Sequence, residues 1–151
     1  MNTQSLSPIL VASPEIESRR ALTSIVNTEG WETVCASGVS ECREVIATRN
    51  ITVVLCDRRL TDGSYRDLLA ALGCAKDKVR VIVVSRLADW GEYLEVLHHG
   101  GFDLIASPCR PTELLGAIIR ARGEEHERTP ALSALELPTF VKHPARMART
   151  A

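Results

Sequence analysis

Five short runs of strand character, each followed by a stretch of helical periodicity, constrain this chain more than any other feature. The runs are Ile9 to Ala12, Trp31 to Ala36, Ile51 to Cys56, Val79 to Val84 and Phe102 to Ala106. The helical stretches run from about Glu15 to Glu29, Val39 to Thr48, Tyr65 to Ala75, Asp89 to His99 and Pro111 to Arg122. In the first, Ile16, Leu22, Ile25 and Val26 are expected to form the apolar face, and in the third Leu68, Leu69 and Leu72 point inward. Gly30 and the Gly100-Gly101 pair stand where helices stop, and Pro111 suits a first helical turn. Val79 to Val84 is almost wholly β-branched, as in a strand covered on both faces. A recurrence of roughly 20–25 residues is the length of one β-α step, not of a solenoid repeat. Five such steps imply a parallel sheet with helices on both faces.

At 151 residues the chain holds one domain with a real core and is too short for two ordinary ones. A net charge of −1 supplies no global field toward nucleic acid or membrane. The five cysteines, Cys35, Cys42, Cys56, Cys74 and Cys109, form no C-x-x-C pair and read as small core residues in a reducing compartment. Apolar runs are far too short to span a bilayer, and the polar start MNTQSLSP has no signal-peptide character, so a cytoplasmic soluble protein is expected. The periodic pattern fades at Gly123. Residues 1–7 are expected to be an extension, 8–122 the domain, and 123–151 a mostly flexible tail with a short helix near Ala131 to Leu137. Lys142, His143, Arg146 and Arg149 are too sparse, and too well balanced by Glu124, Glu125 and Glu127, for a nucleic-acid arm.

In an open parallel sheet, ligands sit beyond the carboxyl ends of the strands. That rule singles out Ser13 and Pro14 after the first strand, Asp57 after the third, Ser85 after the fourth and Ser107 after the fifth. Asp57 is the only acid among them. It ends the apolar run in 53-VVLCDRRLTDGS-64, where an acid serves equally well as a turn cap. The adjacent pair His98-His99 points to two faces of its helix, which suits a helix end better than a metal. Walker, G-x-G-x-x-G and G-x-S-x-G patterns are absent, which removes the usual nucleotide-binding and hydrolase readings.

The segments 9-ILVA-12, 30-GWETVCAS-37, 53-VVLCDRRLTDGS-64, 81-VIVVS-85 and 100-GGFDLIASPCRPTELL-115 together resemble the receiver domain of two-component response regulators. The resemblance implies a flavodoxin-like (βα)5 three-layer sandwich with strand order 2-1-3-4-5. It implies Asp57 as phosphoacceptor, Ser85 as the hydroxyl that contacts the phosphoryl group, and Gly63 as the glycine of the following loop. Four positions depart from the family pattern. Ser13 and Pro14 stand where an acid pair holds Mg²⁺, Ser107 where a lysine precedes Pro108, and Leu104 where an aromatic switch residue lies. Asp57 and Glu15 are the remaining metal candidates, and Glu15 reads more simply as a first-turn helix acid. Mg²⁺, which favours several hard oxygen ligands, is therefore a doubtful cofactor. Arg58, Arg59 and Arg86 are the cations near enough in sequence to supply charge, Arg86 foremost.

The expected function is that of a degenerate, single-domain receiver in phosphorelay signalling, not an enzyme, acting through protein contact. No output module fits the tail. A sensor histidine kinase or another signalling protein is the implied partner. The implied contact face is the fourth helix, fifth strand and fifth helix, with Trp90, Tyr93 and Leu97 as anchors, and the same face would serve a homodimer. The alternative is a small-molecule binder or enzyme on the same scaffold, because fold alone does not decide function.

Overall fold

The computed structural model describes residues 7–127. Five parallel strands, β1 (Ile9–Ala12), β2 (Thr33–Ala36), β3 (Val53–Asp57), β4 (Arg80–Ser85) and β5 (Asp103–Ala106), form one sheet in the order β2-β1-β3-β4-β5. Five helices alternate with them: α1 (Ile16–Asn27), α2 (Val39–Thr48), α3 (Tyr65–Leu72), α4 (Trp90–His98) and α5 (Pro111–Glu127). This is the expected flavodoxin-like (βα)5 sandwich with the expected strand order. A small antiparallel ribbon, Arg59–Leu60 against Gly63–Ser64, follows β3, and a 3-10 turn, Gly73–Asp77, follows α3.

The period-two alternation of the strands builds two cores. Leu10, Val54, Cys56, Val81 and Val83 face one way, against Leu68 and Leu69 of α3 and Val96 of α4. Ile9, Val11, Val53, Leu55 and Ile82 face the other, against Leu22 and Val26 of α1 and Leu114 and Ile118 of α5. Every residue of β1 is fully buried, which is why the central strands read as continuous apolar runs.

Three expectations need correction. Ile16 is 53% exposed, because it is the first residue of α1 and precedes the turns that pack on the sheet. Only Cys42 and Cys56 are buried; Cys35, on the edge strand β2, and Cys74, in the 3-10 turn, are exposed, and Cys109 is half-buried. Burial pushes the Cys42 thiol up to about 12 and the Cys56 thiol well above its ordinary value. Finally, α5 passes through Gly123 to Glu127. A glycine inside a helix costs only about 1 kcal/mol relative to alanine, too little to stop one whose preceding turns are packed. The tail beyond Glu127, including the helix expected near Ala131 to Leu137, and the first six residues lie outside the described residues.

Leu55→Ala, in the centre of the sheet, is expected to lower unfolding free energy by about 2–5 kcal/mol. Ile16→Ala is expected to stay within about 0.5 kcal/mol of the parent. Urea titrations of the two variants check both.

Candidate functional site

Strand register brings the site together. β1 pairs Ala12 with Cys56 of β3, β3 pairs Asp57 with Val84 of β4, and β4 pairs Ser85 with Ala106 of β5. Ser13, Asp57, Ser85 and Ser107 therefore end neighbouring strands at one edge of the sheet. Ser13 is fully buried, and its Oγ donates to Asp57 Oδ2 at 2.9 Å while accepting from the Glu15 amide at 3.2 Å. Asp57 is half-buried, and its Oδ1 accepts from the Arg58 amide at 3.0 Å. Ser85 is buried; its Oγ accepts from the Leu87 amide at 3.0 Å, and its carbonyl accepts from the Ser107 amide at 2.9 Å. Pro14 is half-buried and offers no side-chain donor or acceptor, and Glu15 is exposed. Leu104 is 8% exposed and belongs to the core on the α4 side of the sheet.

The loop after Asp57 is tied to its surroundings by two carboxylates. Asp62 reaches across to the start of α2, where its Oδ1 accepts from the Val39 amide at 2.5 Å and its Oδ2 from the Ser40 amide at 3.2 Å. These two donors, Val39 first, hold the Asp62 carboxyl below the usual carboxylate range. Gly38 sits under this contact: a Cβ there would lie 2.5 Å from Thr61 Oγ1 and 2.7 Å from Asp62 Oδ1. Asp67 closes a capping box with Ser64 at the start of α3. A Cβ on Gly63 would meet Asp67 Oδ2 at 2.6 Å, which gives that glycine a packing reason.

Among the three arginines expected near the site, Arg58 is engaged: its Nε donates to Glu92 Oε2 at 3.2 Å. Arg59 and Arg86 are exposed. Glu92 is 8% exposed, lies in the first turn of α4 behind the Asp89 cap, and was not a sequence candidate. Its signal is an acid one helical turn before Val96, on the line that α4 buries. Arg66 and Glu95 form a second, longer contact at 3.7 Å between α3 and α4.

The donor set around Asp57 does not fit Mg²⁺. The neighbours contributed by the β1 edge are a hydroxyl already bonded to the carboxylate and a proline, whereas Mg²⁺ dehydrates reluctantly and prefers carboxylate oxygens in octahedral array. Among the described residues no three His, Cys, Asp or Glu side chains gather in a way that could hold a metal ion. His98 ends α4, and His99 Nδ1 lies 2.9 Å from the Glu95 carbonyl, so the histidine pair belongs to the helix end.

On the α4 face, Leu87, Trp90, Leu94 and Leu97 are exposed by 52, 39, 48 and 39%. Trp90, Leu94 and Leu97 recur at i, i+4 and i+7 and form one stripe. Tyr93, expected there, instead packs partly buried against the core, with its ring 5.9 Å from that of Trp90. Leu94 takes its place in the stripe. A groove of about 510 Å³ runs along α1 beside β2, lined by Ile16, Arg19, Arg20 and Cys35 among others, and not over Asp57. No helix among the described residues is long and apolar enough to cross a membrane.

The family model described as "Response regulator receiver domain" matches residues 9–119, and the chain belongs to that family. The response regulator protein PilR of Pseudomonas aeruginosa is 27% identical over 124 residues, covering 80% of this chain and 28% of PilR. The acid tolerance regulatory protein ActR of Rhizobium meliloti is 26% identical over 119 residues, covering 79% of this chain and 61% of ActR. The chain thus spans only part of the length of either regulator. A response regulator receiver protein of Pseudomonas putida superposes with a TM-score of 0.68 at 26% identity, covering 76% of this chain and 97% of that one. A CheY-like receiver of Methanospirillum hungatei superposes with a TM-score of 0.72 at 22% identity, covering 82% of this chain and 99% of the other, and supports the fold.

Asp62 generates a pH prediction. Its carboxyl is depressed in the folded state, so the stability it contributes is present above the unfolded carboxylate value, about 3.9, and is lost as pH falls through the folded one. Asp62→Asn, which keeps an acceptor but cannot titrate, is expected to lose less stability on acidification than the parent. Urea unfolding at a series of pH values between about 6 and 3 measures the difference in slope.

Proposed function

We propose that this receiver acts chiefly through protein contact, from an Asp57 site that takes up a phosphoryl group slowly or not at all from small donors. The observation that carries the reading is the 2.9 Å hydrogen bond from Ser13 to Asp57: where the family pattern has an acid, a buried hydroxyl already occupies one carboxylate oxygen. Transfer from a phosphohistidine would form a bond between phosphorus and an Asp57 oxygen. It would break the bond from phosphorus to the imidazole nitrogen, which keeps the electron pair. That brings negative charge against negative charge, and catalysis rests on cations and donors fixed around the transferring oxygens.

Here the site has one formal negative charge where the family pattern has three, which removes most of the attraction for a divalent cation. Ser107 offers one neutral hydrogen bond in place of an ammonium, roughly half as strong as a charge-assisted one. Each missing charge stabiliser slows such a step on the order of 10²–10³-fold. Ser85 keeps a hydroxyl proton to donate, since its oxygen is used as an acceptor toward Leu87. A sensor histidine kinase or another cytoplasmic signalling protein that adds its own positioning groups is the partner of this reading. The stripe of Trp90, Leu94 and Leu97 is the surface where a downstream protein, or a second copy of the chain, would dock. A tryptophan such as Trp90, once buried in a partner's pocket, is the kind of side chain that concentrates binding energy.

Incubation with a small phosphodonor and Mg²⁺, followed by intact-mass measurement, tests the proposal. The parent is expected to gain phosphoryl at least about 10²-fold more slowly than the variant carrying Ser13→Asp, Pro14→Asp and Ser107→Lys together. That variant is also expected to bind Mg²⁺ measurably more tightly. Rapid, Mg²⁺-dependent phosphorylation of the parent, abolished by Asp57→Asn, would overturn the proposal.

A further inference from the structure

Glu92 is a buried carboxylate for which the phosphoacceptor site itself has no use. It lies in the first turn of α4, is 8% exposed, and receives one hydrogen bond from Arg58 Nε at 3.2 Å. Arg58 follows Asp57 directly, and its own amide donates to Asp57 Oδ1. Its side chain is 43% exposed, so the guanidinium is held by Glu92 on one side and wet on the other. Arg58 thus joins two acids, through its backbone amide to Asp57 at the edge of the sheet and through its guanidinium to Glu92 under a helix.

We propose that Arg58 is an arm shared by the two. It neutralises Glu92 while Asp57 is bare, and it turns to a phosphoryl dianion when Asp57 carries one. That turn releases the first turn of α4 and shifts the stripe of Trp90, Leu94 and Leu97. The proposal rests on the reading of Asp57 as the phosphoacceptor position.

The competition favours the dianion. A guanidinium binds phosphate oxygens with two parallel N–H donors, whereas its hydrogen bond to Glu92 uses Nε. Once Arg58 leaves, Glu92 is a buried carboxylate without its hydrogen-bonded counter-ion and keeps only the weaker field of the exposed Arg66, a destabilising arrangement. Opening the amino-terminal turn of α4 relieves it by letting the carboxylate reach water. The tie between α3 and α4, Arg66 to Glu95 at 3.7 Å, joins well-exposed side chains and contributes little against that movement. Trp90 begins the turn that moves, and Leu94 and Leu97 continue the same helix. Leu104, at the position of the family's aromatic switch, stays packed in the core, so the coupling runs through charge.

Two measurements test the arm. In the first, amide exchange of residues 90–95 is compared in the parent, Arg58→Ala, Glu92→Gln and the double variant. Arg58→Ala is expected to lose protection on the order of tenfold, and the double variant to regain most of it, because its buried charge is gone. Unchanged protection in Arg58→Ala, or a double variant as poorly protected as Arg58→Ala, overturns the proposal.

In the second, Asp57→Cys is made in a background with Cys35→Ser, Cys74→Ser and Cys109→Ser and alkylated with a phosphonomethyl reagent. A carbamidomethyl form serves as the neutral control. The installed dianion is expected to lower α4 protection on the order of tenfold against that control, and Glu92→Gln to abolish the response. No response, or an equal response with Glu92→Gln, overturns it. The dianion is placed chemically, so failure of Asp57 to take phosphoryl even from a phosphohistidine kinase would sink only the reading of the site as a phosphoacceptor.

Discussion

The parallel hydrogen-bond ladder that joins β1 to β3 and β3 to β4 is the constraint on which the rest of this structure depends. It places Ala12 beside Cys56 and Asp57 beside Val84. A slip of one residue would turn each strand's buried set to the opposite core, and both cores are filled, so the register has no alternative. The meeting of Ser13 with Asp57 is a by-product of that packing. The chemistry at the edge is decided by which residues happen to end the strands, while the edge itself is decided by the valines and isoleucines behind it.

The residues at the edge fit because each satisfies its neighbours. Ser13 fits a buried position beside a carboxylate by donating to it, so no counter-ion is needed there. Ser85 and Ser107 are joined through the backbone, a link that does not depend on the side chain at 107. The aliphatic Leu104 completes the core on the α4 side of the sheet. The positive charge nearest in sequence to Asp57 is spent on Glu92, inside the protein.

The architecture was legible in the sequence because short apolar, β-branched runs alternate with helices of period 3.6, punctuated at Gly30 and Gly100. The edge positions were legible too, since the sheet rule selects Ser13, Asp57, Ser85 and Ser107 without any motif. Side-chain ties between distant elements were not. Arg58 with Glu92, and Asp62 with the start of α2, join residues 34 and 23 positions apart and leave no periodic trace. Spacing also misassigned Ile16 and Tyr93, because period names a face but not where the helix begins or how far a ring leans toward the sheet. Cys35 was misread for a related reason: composition does not tell an edge strand from a central one.

The clasp of Asp62 on the start of α2 has an evolutionary corollary. The segment between Asp57 and Ser64 is fastened at both ends and in its middle, by the strand, by the capping box of α3 and by the amides of Val39 and Ser40. Beneath it, a methyl group at Gly38 would have to displace the Thr61 hydroxyl and the Asp62 carboxylate. A change of length at 58–62 would strain the junction of β2 and α2, so changes in the two segments are expected to be coupled although α2 and β3 lie between them in the chain.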